Sequence, residues 1–208
     1  MDQSFTAETL GDLATRIELL RLSLFGQHLD EATLVEMAER ATPVSWKQSD
    51  VICQMRSLDA DECWVLASGS IRVDSVPNVP PITEVGNLIG ELAILDPTRQ
   101  RSATLRAHGA VEALRISYAD LAKFMTPALK VAMWTAGIEV LRLTADAISE
   151  QIKESHAQIT VAAMDGDPSV MDQLDRIPPQ LTAAVEALNV LMATIANVDR
   201  RLRLGAPR

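Results

Sequence analysis

Apolar positions near the N-terminus recur at helical intervals. Leu10, Leu13, Ile17, Leu20 and Leu24 follow that spacing and predict a helix over residues 7–22. A second helix fits Asp30 to Arg40, with Asp30 as its N-cap and Leu34, Val35 and Ala38 on the inner face. From Pro43 the pattern changes to short β-rich runs separated by polar turns. These are Val51–Cys53, Cys63–Leu66, Ser70–Val73, Ile82–Val85, Ser102–Ala107 and Val111–Ile116. Short strands at such spacing predict an antiparallel roll or barrel, not a doubly wound sheet.

The helical period returns after Ser117. Tyr118–Met125 reads as one short helix, and a long helix begins near Pro127, where proline suits a first turn. With Val131 at heptad position a, the seam is Val131, Trp134, Ile138, Leu141, Ala145, Ile148, Ile152, Ser155, Ile159 and Ala162. About four heptads of mostly apolar seam predict pairing of two copies of this helix, and so a homodimer. Asp165-Gly166-Asp167-Pro168 ends the helix, and Ile177-Pro178-Pro179 marks a further boundary. Leu181, Val185, Leu188, Met192, Ile195 and Leu202 then outline a final amphipathic helix.

The expected fold class is α+β. An antiparallel, jelly-roll-like β-roll with flanking helices is followed by a long dimerisation helix and a C-terminal amphipathic helix. The expected segments are 1–24 (helical), 25–126 (roll), 127–162 (long helix) and 163–208 (helical output segment).

Composition narrows the function classes. Apolar residues make up 48% and aromatic residues 3%, so the core is built mainly from Leu, Ile, Val, Ala and Met. A net charge of −9 opposes phosphodiester backbones, and nucleic-acid binding is not expected. Arg200, Arg201 and Arg203 form the one local basic cluster, which suits a helix C-terminus. No apolar run reaches membrane-spanning length, and Met1-Asp2-Gln3-Ser4 lacks the order of a signal peptide, so a cytoplasmic protein with no membrane partner is expected. Cys53 and Cys63 are too few for a disulfide framework and are expected as reduced, buried thiols on neighbouring strands. His28, His108 and His156 lie in separate segments, so no metal site is expected. Ser/His/Asp sets and paired carboxylates at useful spacing are missing from the sequence, and the chain is not expected to be an enzyme. Trp64 and Trp134 read as core or seam residues.

The chemistry concentrates in Gly90-Glu91-Leu92-Ala93 and Arg101-Ser102-Ala103. Gly90 lets the backbone turn and approach a ligand. Glu91 to Leu95 form about one helical turn whose N–H groups receive an anion. Arg101 offers a forked guanidinium to phosphate oxygens, Ser102 a hydroxyl donor, and Ala103 space. Glu91 would repel a bare anion, yet a carboxylate accepts hydrogen bonds from ribose hydroxyls. Together these groups describe a site for one small nucleotide.

This pattern resembles the phosphate-binding cassette of cyclic nucleotide-binding domains, particularly those of the catabolite activator (Crp/Fnr-like) group. The resemblance spans about residues 20 to 155. It includes Leu22-Ser23-Leu24-Phe25 at the entry helices, Gly69-Ser70-Ile71 before a central strand, and Ile116-Ser117-Tyr118 at the exit to the dimer helix. It implies that Gly90 and Glu91 contact the phosphate and the ribose 2′-hydroxyl, and that Arg101 and Ser102 hold the cyclic phosphate. It also implies, with a two-residue deletion before Pro127, that Thr144 touches the purine. Ala145 stands where the family has a serine, and the threonine supports cAMP over cGMP.

Ser57 replaces a loop glycine, and the hairpin from Val73 to Val85 is short and carries Pro77, Pro80 and Pro81. Residues 163–208 lack the pattern of a winged helix, so DNA binding is not carried over. The function expected is a non-enzymatic cyclic nucleotide sensor whose output passes through residues 163–208 to a protein partner or an intramolecular helix pair. The alternatives are a roll that has lost its ligand and acts as an adaptor, or a transcription regulator.

Overall fold

The computed structural model describes residues 5–58, 61–74, 80–95 and 100–165. A 3-10 turn at Thr9–Gly11 leads to α1 (Leu13–Leu22), α2 (Leu24–His28) and α3 (Glu31–Arg40). The single helix expected over 7–22 is therefore divided. Asp12 starts α1 by accepting the Thr15 N–H at 3.1 Å. Buried Ser23 ends it, donating its hydroxyl to the Leu20 carbonyl at 2.6 Å and accepting the Phe25 N–H at 3.2 Å. Asp30 caps α3 as expected, accepting the Thr33 N–H at 2.8 Å.

The described strands are β1 (Thr42–Trp46), β2 (Val51–Cys53), β3 (Glu62–Ser68), β4 (Ile71–Val73), β5 (Leu88–Ile89), β6 (Leu105–Ala107) and β7 (Val111–Ser117). They form two antiparallel sheets ordered β1-β7-β3-β5 and β2-β6-β4. β1 lay outside the expected strands. Pro43 is compatible with it because β1 is at a sheet edge, where a missing N–H breaks no central ladder. The strand expected over Ile82–Val85 shrinks to one bridge between Ile82 and Ile71 of β4, and the next strand, β5, pairs instead with β3 in the larger sheet. Pro80 and Pro81 supply no N–H donors. The chain then turns at Gly86 (φ +89), where a Cβ would lie 2.8 Å from the Leu22 carbonyl oxygen. The strand expected from Ser102 begins only at Leu105, after a bend.

The run Cys63–Ala67 is buried throughout, because the larger sheet is covered on both faces. Cys63, Val65 and Ala67 join the helices on one side, with Leu114 and Ile116 of β7. Trp64 and Leu66 face the smaller sheet, with Val111 and Ala113. The layers are therefore helices, larger sheet, smaller sheet. Cys53 and Cys63, expected on neighbouring strands, lie in different sheets because the chain crosses between sheets after β2.

After β7, Ser117 caps α5 (Tyr118–Phe124), and α6 runs over Pro127–Asp165. The start of α6 packs Leu129, Met133 and Trp134 into the helical core, with Ile138 against it. At this end the seam positions Trp134 and Ile138 thus serve the domain's own core, whereas Val131 is exposed. Ile148 is also buried within a single chain. The side chains of Leu141, Ser155, Ile159 and Ala162, and the expected final helix with its arginines, lie outside the described residues. Among the described residues no helix is long and apolar enough to cross a membrane, and no His/Cys/Asp/Glu group could hold a metal.

Candidate functional site

The site is built around an arginine that the fold buries. Arg101 is only 4% exposed. Its guanidinium donates to the Glu62 carbonyl at 2.9 Å and to the Gly90 carbonyl at 3.3 Å. Its Cζ stands 4.7 Å from the centroid of the Trp64 ring, a cation–π distance. Trp46 meets the same indole edge-on, with centroids 5.9 Å apart. The backbone is tethered as well. Arg101 N–H donates to the Ser57 carbonyl at 3.2 Å, and its carbonyl accepts the Arg56 N–H at 2.9 Å. The turn that carries Ser57 in place of the family glycine thus holds Arg101, with Arg56 taking the positive φ of +68.

Gly90 makes room for this arrangement. It sits at φ +81, and a Cβ there would lie 2.5 Å from Arg101 Nη1 and 3.1 Å from the Trp64 ring. Any side chain at position 90 would therefore displace the guanidinium as well as strain the backbone.

Glu91 opens α4 (Glu91–Leu95) and is 7% exposed. Burial pushes its carboxyl up to about 7, partly offset by its own backbone N–H and by the charge of Arg101. A carboxyl that changes ionisation near neutral pH is costly in an apolar setting and marks a candidate binding site.

Both residues line one cavity of about 360 Å³. That lies within the roughly 300–1,000 Å³ usual for small-ligand sites. Gly90, Leu92, Ala93, Ser102 and Ala103 line the same space, so the structure brings seven of the eight expected residues together. Thr144, the eighth, lies on α6, but its side chain is outside the described residues. Among the described residues of α6, Ala136 lines the cavity. Val73, Ile82 and Leu105 supply an apolar wall from the roll, and Leu22 and Leu24 a second wall from the α1–α2 junction. Two of the five guanidinium N–H groups go to the two carbonyls, and others remain for an anion. The cavity thus joins a fixed cation, a carboxyl, a hydroxyl and apolar walls, a combination suited to a sugar phosphate carrying a flat base.

The supports of Arg101 were not legible. Trp64 was read only as a core residue, and the Glu62 carbonyl carries no side-chain signal. Each lies nearly forty residues from Arg101, and only the pairing of β3 with its neighbours brings them close.

Residues 43–127 match the family model of the cyclic nucleotide-binding domain. A Pycsar effector protein of Burkholderia cepacia, BcPycTIR, is 34% identical over 90 residues, which is 41% of this chain and 29% of that protein. The regulatory domain of Toxoplasma gondii PKA, solved with cAMP, superposes with a TM-score of 0.52 at 18% identity, covering 61% of this chain and 50% of that one. A cAMP-bound mutant regulatory subunit of a cAMP-independent protein kinase A from Trypanosoma brucei gives 0.50 at 19% identity, covering 57% and 43%. The chain spans under a third of the curated relative and half or less of these two solved chains.

Proposed function

We propose that the protein, whose residues 43–127 match the family model of the cyclic nucleotide-binding domain, is a non-enzymatic sensor that binds one cyclic nucleotide in the cavity between Glu91 and Arg101. The observation that carries this is the burial of a guanidinium and a carboxyl on one shared cavity, eleven residues and one residue past the same crowded glycine. Arg101 and Ser102 hold the cyclic phosphate, Glu91 accepts the ribose 2′-hydroxyl, and the base lies among Val73, Ile82 and Leu105. Thr144 on α6 supports cAMP as the first ligand to test, ahead of cGMP. The cAMP of the Toxoplasma domain points the same way. α6 carries the response to a homodimer contact along the helix and to a protein partner through residues 163–208. A ligand moves such an equilibrium only by its unequal affinity for the two arrangements.

Calorimetric titration with cAMP, cGMP, cCMP and cUMP tests the proposal. Saturable heat with at least one of them, and none with the matching linear 5′-nucleotide, is expected. Heat with none at millimolar ligand would reject it.

The two thiols give an independent check. Cys53 lines the cavity and is half-buried, whereas Cys63 is fully enclosed. Burial, with Glu91 nearby, pushes the Cys63 thiol far up, so its thiolate is scarce. A disulfide-exchange reagent should label Cys53 in the native protein, with Cys63 reacting only after denaturation. Saturating cyclic nucleotide should slow the Cys53 reaction. Equal rates with and without ligand would place the nucleotide away from this wall.

A further inference from the structure

α6 carries a single glycine, Gly137, at a buried position in the body of the helix. Glycine is the weakest helix former after proline, so the position serves something other than helix stability. A Cβ on Gly137 would lie 2.2 Å from Leu92 Cδ2 and 3.1 Å from Leu92 Cγ. It would also lie 3.6 Å from Glu91 Oε1. The side chain of Leu92 therefore occupies the notch that the glycine leaves. Leu92 is 7% exposed and also lines the cavity. A methyl group at 137 would collide with the Leu92 side chain in the notch and stand in van der Waals contact with the Glu91 carboxyl beside it.

We propose that Gly137 is a positioning residue, whose notch seats Leu92 and thereby holds the Glu91 carboxyl at the nucleotide cavity. The inference rests on the reading of that cavity as a cyclic nucleotide site. It makes affinity depend on how α6 lies against α4. Alanine at 137 improves helix propensity while crowding the seat, so loss of binding would not come from a weakened helix.

The test compares calorimetric affinities of the wild type, Gly137→Ala, Leu92→Ala and the double variant for whichever cyclic nucleotide the wild type binds. Gly137→Ala is expected to weaken binding by about tenfold or more, as overpacking of a close contact does. In the Leu92→Ala background, where the seat is vacated, the same substitution should change affinity by less than about threefold. Equal affinity of Gly137→Ala and wild type overturns the proposal. So does an equal loss in both backgrounds, which would place the effect outside the notch. If Gly137→Ala does not fold, the double variant must fold and bind as Leu92→Ala does, and its failure to do so also overturns the proposal. A wild type that binds no cyclic nucleotide removes the site reading itself, an outcome distinct from a binding wild type indifferent to Gly137→Ala.

Discussion

Arg101→Leu is expected to weaken cyclic nucleotide binding roughly 100- to 1,000-fold, because two charge-assisted bonds to phosphate disappear with the guanidinium. The same change costs stability. The Gly90 and Glu62 carbonyls lose their donor, and each costs about 1–3 kcal/mol where it stays buried and unpaired. Trp64 also loses the cation above its ring. Circular dichroism must therefore establish that the variant is folded before its affinity is compared. Arg101→Lys separates the two effects. It keeps the charge and much of the stem, but an ammonium cannot grip phosphate in a fork. Partial recovery of stability with binding still more than about tenfold below wild type is the expected pattern. A folded Arg101→Leu that binds like the wild type would sink the phosphate assignment.

Glu91→Gln is expected to have opposite effects on binding and stability. Its folded carboxyl titrates at about 7, against 4.5 ordinarily. Between those values the folded state holds a proton that the unfolded state has released. Stability therefore falls as pH rises through that window and levels off above it. The displacement corresponds to roughly 3 kcal/mol at neutral to alkaline pH. Glutamine removes that penalty, so the variant should melt at a higher temperature than wild type at pH 8 and similarly at pH 5. Binding should fall about 10- to 100-fold, because the ribose hydroxyl loses a charged acceptor. With a 2′-deoxy cyclic nucleotide the difference between variant and wild type should vanish. Wild-type affinity should itself rise from pH 6 to pH 8 as the carboxylate forms. A variant no more stable than wild type at pH 8 would mean that the carboxyl is better solvated than its burial implies.

How much of this was legible follows from where each signal lies along the chain. Gly90 to Ala103 is one short stretch in which residue types at set spacing declare phosphate, ribose and backbone turn together, so seven site residues could be named. β3 was legible because the apolar run Cys63–Ala67 suits a sheet covered on both faces, and β7 because Val111, Ala113, Leu114 and Ile116 form a short β-rich run between polar turns. β1 was not, since Pro43 argues against a strand until its edge position is known. The helix read over 7–22 ends where α1 ends, but its start was placed too early, because Leu10 continues the apolar period through the 3-10 turn before the Asp12 cap. Trp64 under Arg101, and Gly137 under Leu92, are tertiary facts. Each depends on two segments far apart in sequence meeting at an angle that local pattern does not encode.

The most direct measurement is a crystal structure grown with saturating cyclic nucleotide. The account predicts ligand density inside the roll, with the cyclic phosphate within hydrogen-bond distance of Arg101 and Ser102 and the ribose 2′-hydroxyl on Glu91. Density bound elsewhere, or those two charged side chains turned away from it, would contradict the account.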